Sequence, residues 1–439
     1  MIISNQKINH KNYIFKYLLS AFGIVLNCLT TGYIFAQVTA PPDFIFNSRI
    51  KFAHIYQKGS NQTIPVIELN SDQQMRIEFD DLLQETNRYS YRVFHCNYDW
   101  SPSGLNFMQY MTGFESFEIF DYKLSTNTTY PYTHYWFDFP NEYMRPVISG
   151  NFVLQVFESD NPENILFQRR FMMVDKKLMI DAKVRYASNV ELRNTHQEIY
   201  FTIINSGLMI QDFNNDLKVV IMQNNRWDNI IENVAPQFIS GNKYIYNYSS
   251  GETAFPAGNQ YRFLDLKSLM VPMGAVQKIT TDRGKFHVLM QPELNRKYMN
   301  YLFRPDINGR FAIYNQDTYN TSIDPDYAYV YFSVPTEEPY DKDIYLSGGF
   351  SFGELLEEYK MIYNPNYRMY ELKTLLKQGY YNYLFLTKSK KEKEGKTEDI
   401  EGDFAETEND YTIFVYVREA GDVAHKLAGI SFINSMNNR

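Results

Sequence analysis

The chain has 439 residues, of which 44% are hydrophobic and 17% aromatic, with a formal net charge of −8 and two cysteines. That length exceeds one ordinary core and predicts two to four domains. An acidic chain with no basic block is a poor partner for nucleic acid, whose affinity comes from Lys and Arg at phosphates.

The N-terminus reads as a targeting segment. Lys7, Lys11 and Lys16, with no acidic residue among them, precede an apolar run from Leu18 to Leu29, and Ala36 stands before Gln37. This order predicts a secretory signal peptide over residues 1–36. A retained anchor is the alternative, although Asn27, Thr30 and Thr31 weaken the span. Val25-Leu26-Asn27 before Cys28 lacks the small residue that lipid-modifying processing wants, so lipidation is not expected. After cleavage only Cys96 remains, which rules out an internal disulfide and leaves packed cores to supply stability. No later run is apolar enough to span a membrane.

From residue 37 to 177 short segments recur at sandwich-like spacing: Ile50 to Tyr56, Val66 to Leu69, Met75 to Asp80, Tyr89 to Tyr98, Tyr135 to Phe139, Gly150 to Glu158 and Leu166 to Val174. Turn clusters such as Gly59 to Gln62 and Asp160 to Pro162 punctuate them. A second set, placed in residues 178–325, runs through Met179 to Val184, Gln197 to Ile204, Leu217 to Gln223, Lys243 to Tyr246, Tyr261 to Asp265 and Lys285 to Leu289. In Gln223 to Trp227 the side chain of Arg226 is expected to lie beside an aromatic and cap carbonyls. Asp306 to Gly309 fails as a calcium loop because Arg310 and Phe311 occupy the positions that need a ligand and a glycine. Asn308-Gly309 is expected to turn a hairpin between Tyr301 to Phe303 and Phe311 to Tyr314.

The third set, residues 326–439, holds Tyr327 to Val334, Ile344 to Gly348, Tyr359 to Tyr363, Arg368 to Leu372, Tyr380 to Thr387 and Tyr411 to Arg418. One helical turn is expected over Phe352 to Glu358. The charged stretch Lys388 to Asp410 is expected to be a solvated, mobile hairpin loop. With 37 Tyr and 33 Phe, the chain is predicted to be all-β: three consecutive immunoglobulin- or fibronectin-like β-sandwich domains after a signal peptide.

The stretch Tyr91 to Asn141 concentrates chemistry, with His95, Cys96, Trp100, His134 and Trp136. Neighbouring strand residues point to opposite faces, so His95 and Cys96 cannot form a nucleophile and base pair. A buried thiol packs as a small hydrophobe. No Gly-rich phosphate loop, metal-spaced cluster or nucleophile elbow occurs. No catalytic, cofactor or metal residue is therefore assigned, and enzyme activity is not expected.

The run His95-Cys-Asn-Tyr-Asp-Trp-Ser-Pro-Ser103, followed by Tyr132 to Tyr135, Phe139 to Asn141, Ser149 to Asn151 and Arg170 to Met172, resembles the plug protein of the type IX secretion system. Gln223 to Trp227 and Gly258 to Phe263 resemble further motifs of that family. The resemblance implies a non-enzymatic periplasmic protein, associated with the periplasmic face of the outer membrane, that closes the mouth of a giant outer-membrane β-barrel translocon. It directs attention to Ser101, Pro102, Ser103, Leu105, Tyr130, Tyr132 and His134 as partner contacts. The third unit, from Tyr345 to Tyr383, resembles a glycogen-binding-type sandwich. The alternative function is thus an extracytoplasmic carbohydrate-binding protein with Tyr345, Phe350, Tyr363 and Tyr381 as a stacking platform, although this unit lacks tryptophan.

Overall fold

Period-two burial builds the first pair of sheets. In Met75–Asp81 the side chains of Met75, Ile77 and Phe79 are buried while Arg76 and Glu78 between them are half-buried, as expected of a strand with one core face. The computed structural model describes residues 43–60, 64–318 and 322–437, and the expected signal peptide lies outside them. One sheet runs Phe44–Ile45, Asn161–Val174, Gly150–Glu158, Tyr89–Cys96, Ser116–Ile119, with Val66–Glu68 added in parallel to Asn161–Val174. The facing sheet runs Ile50–Gln57, Met75–Asp81, Thr133–Phe139, Asp121–Leu124. Aromatic rings including Phe79, Tyr89, Tyr135, Phe152 and Phe171 fill the space between them.

A second pair of sheets follows. Leu178–Tyr186, His196–Asn205, Lys243–Tyr246 and Phe238–Ser240 form one, and Ile231–Glu232, Leu217–Gln223, Asp410–Val417 and Lys426–Asn434 form the other. The end of the chain therefore closes the middle sandwich: Leu217 lies opposite Val417 and Gln223 opposite Tyr411. The sequence reading had put Tyr411 to Arg418 with the third set. The physical reason for the difference is double burial. One face of this sheet supplies Val219, Ile221, Ile413 and Val415 to the middle core. Its other face packs Val220, Met222, Phe414 and Tyr416 against Val66, Met172 and Val174 of the first sandwich. A strand buried on both faces is a continuous apolar run with no alternation to show which sheet it joins.

The third pair takes in strands that the sequence reading had given to the middle set. Arg262–Asp265 pairs with Gly379–Lys388, and Lys285–Met290 runs parallel to Tyr327–Pro335. Asn308 and Gly309 do turn with positive φ, but Tyr301 to Phe303 is not a strand, and Phe311–Ile313 pairs with Gly379–Lys388 instead of forming a local hairpin. The stretch after Lys388 also departs from expectation. Glu401 is fully buried and accepts from Arg262 Nε at 3.0 Å and Arg296 Nε at 2.7 Å. Burial alone would raise its carboxyl, but the two guanidiniums hold it below the ordinary range. Charge that looks solvated along the sequence is here matched across it.

The chain is all-β as expected. Among the described residues the helices are single turns, Phe107–Tyr110 and Phe213–Asp216, with two 3-10 turns at Gly349–Ser351 and Glu357–Tyr359 flanking the place where one was predicted. The described residues form one compact unit.

Candidate interaction surface

The conspicuous motif residues lie inside the first sandwich or at its joints with the other two. His95 is buried with its ring edge-on to Phe152 at 5.0 Å and Nε2 3.3 Å from the Ser149 carbonyl oxygen. It sits so close over Gly150 that an added Cβ would meet Nε2 at 2.3 Å. Only a glycine fits there, the more so at a φ of 149°. Next to it, Asn151 donates to the Asn97 carbonyl at 2.9 Å and accepts from the Tyr416 hydroxyl at 2.9 Å. Trp100, held at a φ of 65°, meets Trp227 edge to face at 5.3 Å. The Arg170 guanidinium lies over both indoles, at 5.2 and 4.2 Å, and donates to Asp43 and Glu354. Trp227 therefore stacks on Arg170, while Arg226 pairs with Asp228 and caps the Gly395 carbonyl at 2.7 Å.

Burial pushes the Cys96 thiol up to about 12 and the His95 imidazole down to about 4. A protonated thiol beside a neutral ring is not an activated nucleophile. Among the described residues no group of His, Cys, Asp and Glu side chains could hold a metal ion.

The loop before Thr133–Phe139 turns inward. Thr129 N and Tyr130 N donate to Asp326 at 2.5 and 2.9 Å, and the Tyr132 hydroxyl donates to the Pro325 carbonyl at 3.0 Å. Beneath them Asp80 is completely buried, accepting from Lys377 Nζ and from the Tyr327 hydroxyl, each at 2.6 Å, with His134 Nδ1 2.7 Å from its other oxygen. Burial favours the neutral acid, but Lys377 and His134 outweigh it and keep the carboxyl below its ordinary range. Lys377 Nζ also lies 4.3 Å from the centre of the Tyr132 ring. Of the seven residues singled out as partner contacts, Ser103, Tyr132 and His134 are therefore buried, Ser101, Leu105 and Tyr130 are half-buried, and Pro102 is exposed. Tyr132 and His134 fasten the first sandwich to the third.

A second surface of the first sandwich was not picked out by motif. Ser116–Ile119 ends one sheet and Asp121–Leu124 ends the other, with Phe120 alone between them. Phe114, Phe120 and Tyr122 are 59%, 66% and 46% exposed. Phe117 bridges the ridge, 6.2 Å from Phe114, 5.8 Å from Phe120 and stacked on Tyr143 at 4.0 Å. Glu115, Asp121 and Lys123 stand exposed around it. Large apolar side chains exposed beside the edge strands of two sheets mark a surface that another protein covers. The only trace in the sequence is a set of phenylalanines spaced by acidic and small residues, without the alternation of a core strand.

Residues 50–175, which include both the inward loop and this ridge, match the type 9 secretion system plug protein 1st domain. A hypothetical protein from Parabacteroides merdae ATCC 43184, known from a crystal structure, shares 32% identity with a TM-score of 0.87, over 89% of this chain and 98% of that one. The chain thus carries a plug-family first domain. None of the curated proteins matches it. Within the plug domain the family-like motifs at His95 to Ser103 and Ser149 to Asn151 are spent on the joints described above, and the ridge lies apart from them. No helix among the described residues is long and apolar enough to cross a membrane.

Proposed function

We propose that the protein is a non-enzymatic periplasmic plug that closes the periplasmic opening of the type IX secretion outer-membrane β-barrel translocon, seating the Phe114 to Tyr122 ridge of its plug domain against the barrel. The observation that carries this reading is the position of the exposed ridge inside the segment matched to the plug domain. An apolar strip ringed by charges suits a contact that must release when substrate arrives, since non-obligate interfaces combine an apolar centre with a polar rim. Pro102, exposed at the tip of the motif loop, is a second point of contact in this arrangement. The three sandwiches are joined by buried aromatic and ionic contacts and so would move as one stopper.

The test is co-purification. An affinity-tagged copy should bring down a very large outer-membrane barrel, and Phe114→Ser with Phe120→Ser should abolish that while leaving the protein folded. Recovery of the barrel in undiminished yield by the double variant would remove the ridge from the proposal, and failure of the wild type to recover any barrel would remove the plug itself. The carbohydrate reading fares differently: Tyr345, Phe350 and Tyr381 are buried, so the stacking platform expected from them is not on the surface.

A further inference from the structure

Where the three sandwiches meet there is a cavity of about 110 Å³ with four arginines in its wall: Arg169, Arg170, Arg226 and Arg310. Asp43 is the one acid in that wall. All four have an acid within 3.5 Å, but only three of them are hydrogen-bonded to it. Arg170 is held by Asp43 and Glu354, Arg226 by Asp228, and Arg310 by Asp410 at 2.8 Å. Arg169 is different. It is 8% exposed, its guanidinium carbon lies over the Phe352 ring, 3.9 Å from the centre, and neither Nε nor Nη1 makes a hydrogen bond. Its nearest acid is Asp43, 3.5 Å from Nε and already engaged by Arg170.

Buried guanidinium donors left unmade cost free energy on the order of 1–3 kcal/mol, more where the group is charged. A second donor facing the same space, Arg310 Nε, is also buried without a partner. His54, in the cavity wall, is kept neutral by burial and by the charge of Arg169, its imidazole pushed down to about 3, so it adds no positive charge but can still donate or accept. The contact with Phe352 anchors the Arg169 guanidinium, and its two unpaired donors suit a planar or tetrahedral oxyanion.

We propose that this cavity is a binding site for one small oxyanion, a phosphate, sulfate or carboxylate, held by the edge of Arg169 with help from Arg310 Nε. The anion completes the junction between the three sandwiches, so its binding stabilises their association. Two sources share this chemistry: a free inorganic ion, or a carboxylate on a peptide segment that reaches the cavity.

The experiment is thermal unfolding of the mature protein titrated with sodium phosphate, sodium sulfate or sodium acetate, with sodium chloride holding ionic strength constant. Phosphate or acetate should raise the midpoint along a saturable curve, and Arg169→Met, which keeps the stack on Phe352, should weaken half-saturation at least about tenfold, equivalent to about 1.4 kcal/mol. Preference for acetate over phosphate and sulfate assigns the site to a carboxylate, and the reverse preference to a free inorganic ion. Should Arg169→Met fail to fold, crystals of the wild type soaked in selenate provide the decision, with an anomalous peak in hydrogen-bond contact with Arg169 expected. No saturable shift above that of chloride, an identical shift in Arg169→Met, or a cavity without anomalous density would each overturn the proposal.

Discussion

The first sandwich carries two aromatic-rich loops with opposite fates. Thr126 to His134 mixes tyrosines with hydroxyls and a histidine and turns Tyr132 to His134 into the joint with the third sandwich, whereas Phe114 to Tyr122 has phenylalanine at three of its nine positions and exposes two of them. The difference inverts the usual intuition that polar decoration marks a working surface. A tyrosine or histidine can enter a joint because its polar tip finds a partner there, as Tyr132 does at Pro325 and His134 at Asp80. A plain phenylalanine left exposed beside an edge strand has no such reason to be where it is, and its exposure is the stronger sign of something that covers it.

The comparison breaks most decisively at Lys377. Replacing it with methionine leaves the Asp80 carboxylate buried without its cation, a change that typically costs about 3–5 kcal/mol. Urea unfolding should show this loss, and the double variant Asp80→Leu with Lys377→Met should recover much of it, because well-packed apolar groups replace a buried pair at little cost. A single-variant loss below about 1 kcal/mol would mean that the joint is wet and that its polar groups are not structural.

The next effect is a dependence on pH. The folded His95 imidazole titrates well below its ordinary value because it is buried. A depressed folded value means stability that is complete above the ordinary pKa of about 6.5 and is lost as pH falls towards about 4, by an amount on the order of 3 kcal/mol. His54 adds a loss of the same sign. Asp306, raised to about 6 by burial, works in the opposite direction. Comparing wild type with His95→Gln at several pH values cancels both. The curves should be furthest apart in their slope between pH 6.5 and 4, and parallel curves there would show that His95 is not neutral in the fold. Tyr132→Phe should cost less, about 1–2 kcal/mol, because one buried acceptor at Pro325 loses its donor while the ring stays in place.

Much of this division was readable from the chain, though unevenly. Alternation placed Met75 to Asp80 correctly, since it has one core face, and Gly150 to Glu158, buried at every position but the last, was placed by its apolar run and the turn residues before it. The same signal failed to place Tyr411 to Arg418 beside Leu217 to Gln223, where both faces are covered and only the registers between distant strands decide the sheet. It failed at Lys388 to Asp410 because composition cannot show that Arg262 and Arg296 wait across the fold for Glu401. At the candidate surface, motif residues were visible but their direction was not. His134 could point to a partner or to Asp80, and nothing short of the tertiary arrangement chooses.

The smallest effect on stability should accompany the largest effect on binding. Phe114 and Phe120 bury little, so serine at both positions should change the free energy of unfolding by no more than about 0.5 kcal/mol each, and removal of exposed apolar area can even improve solubility. Recovery of the outer-membrane barrel by the tagged protein should nevertheless disappear, because the ridge would supply the desolvated centre of the contact. Tyr132→Phe provides the mirror measurement: a clear loss of stability with barrel recovery intact. If the two variants exchanged these outcomes, with the ridge holding the fold and the inward loop holding the partner, the assignment of the two loops would have to be reversed.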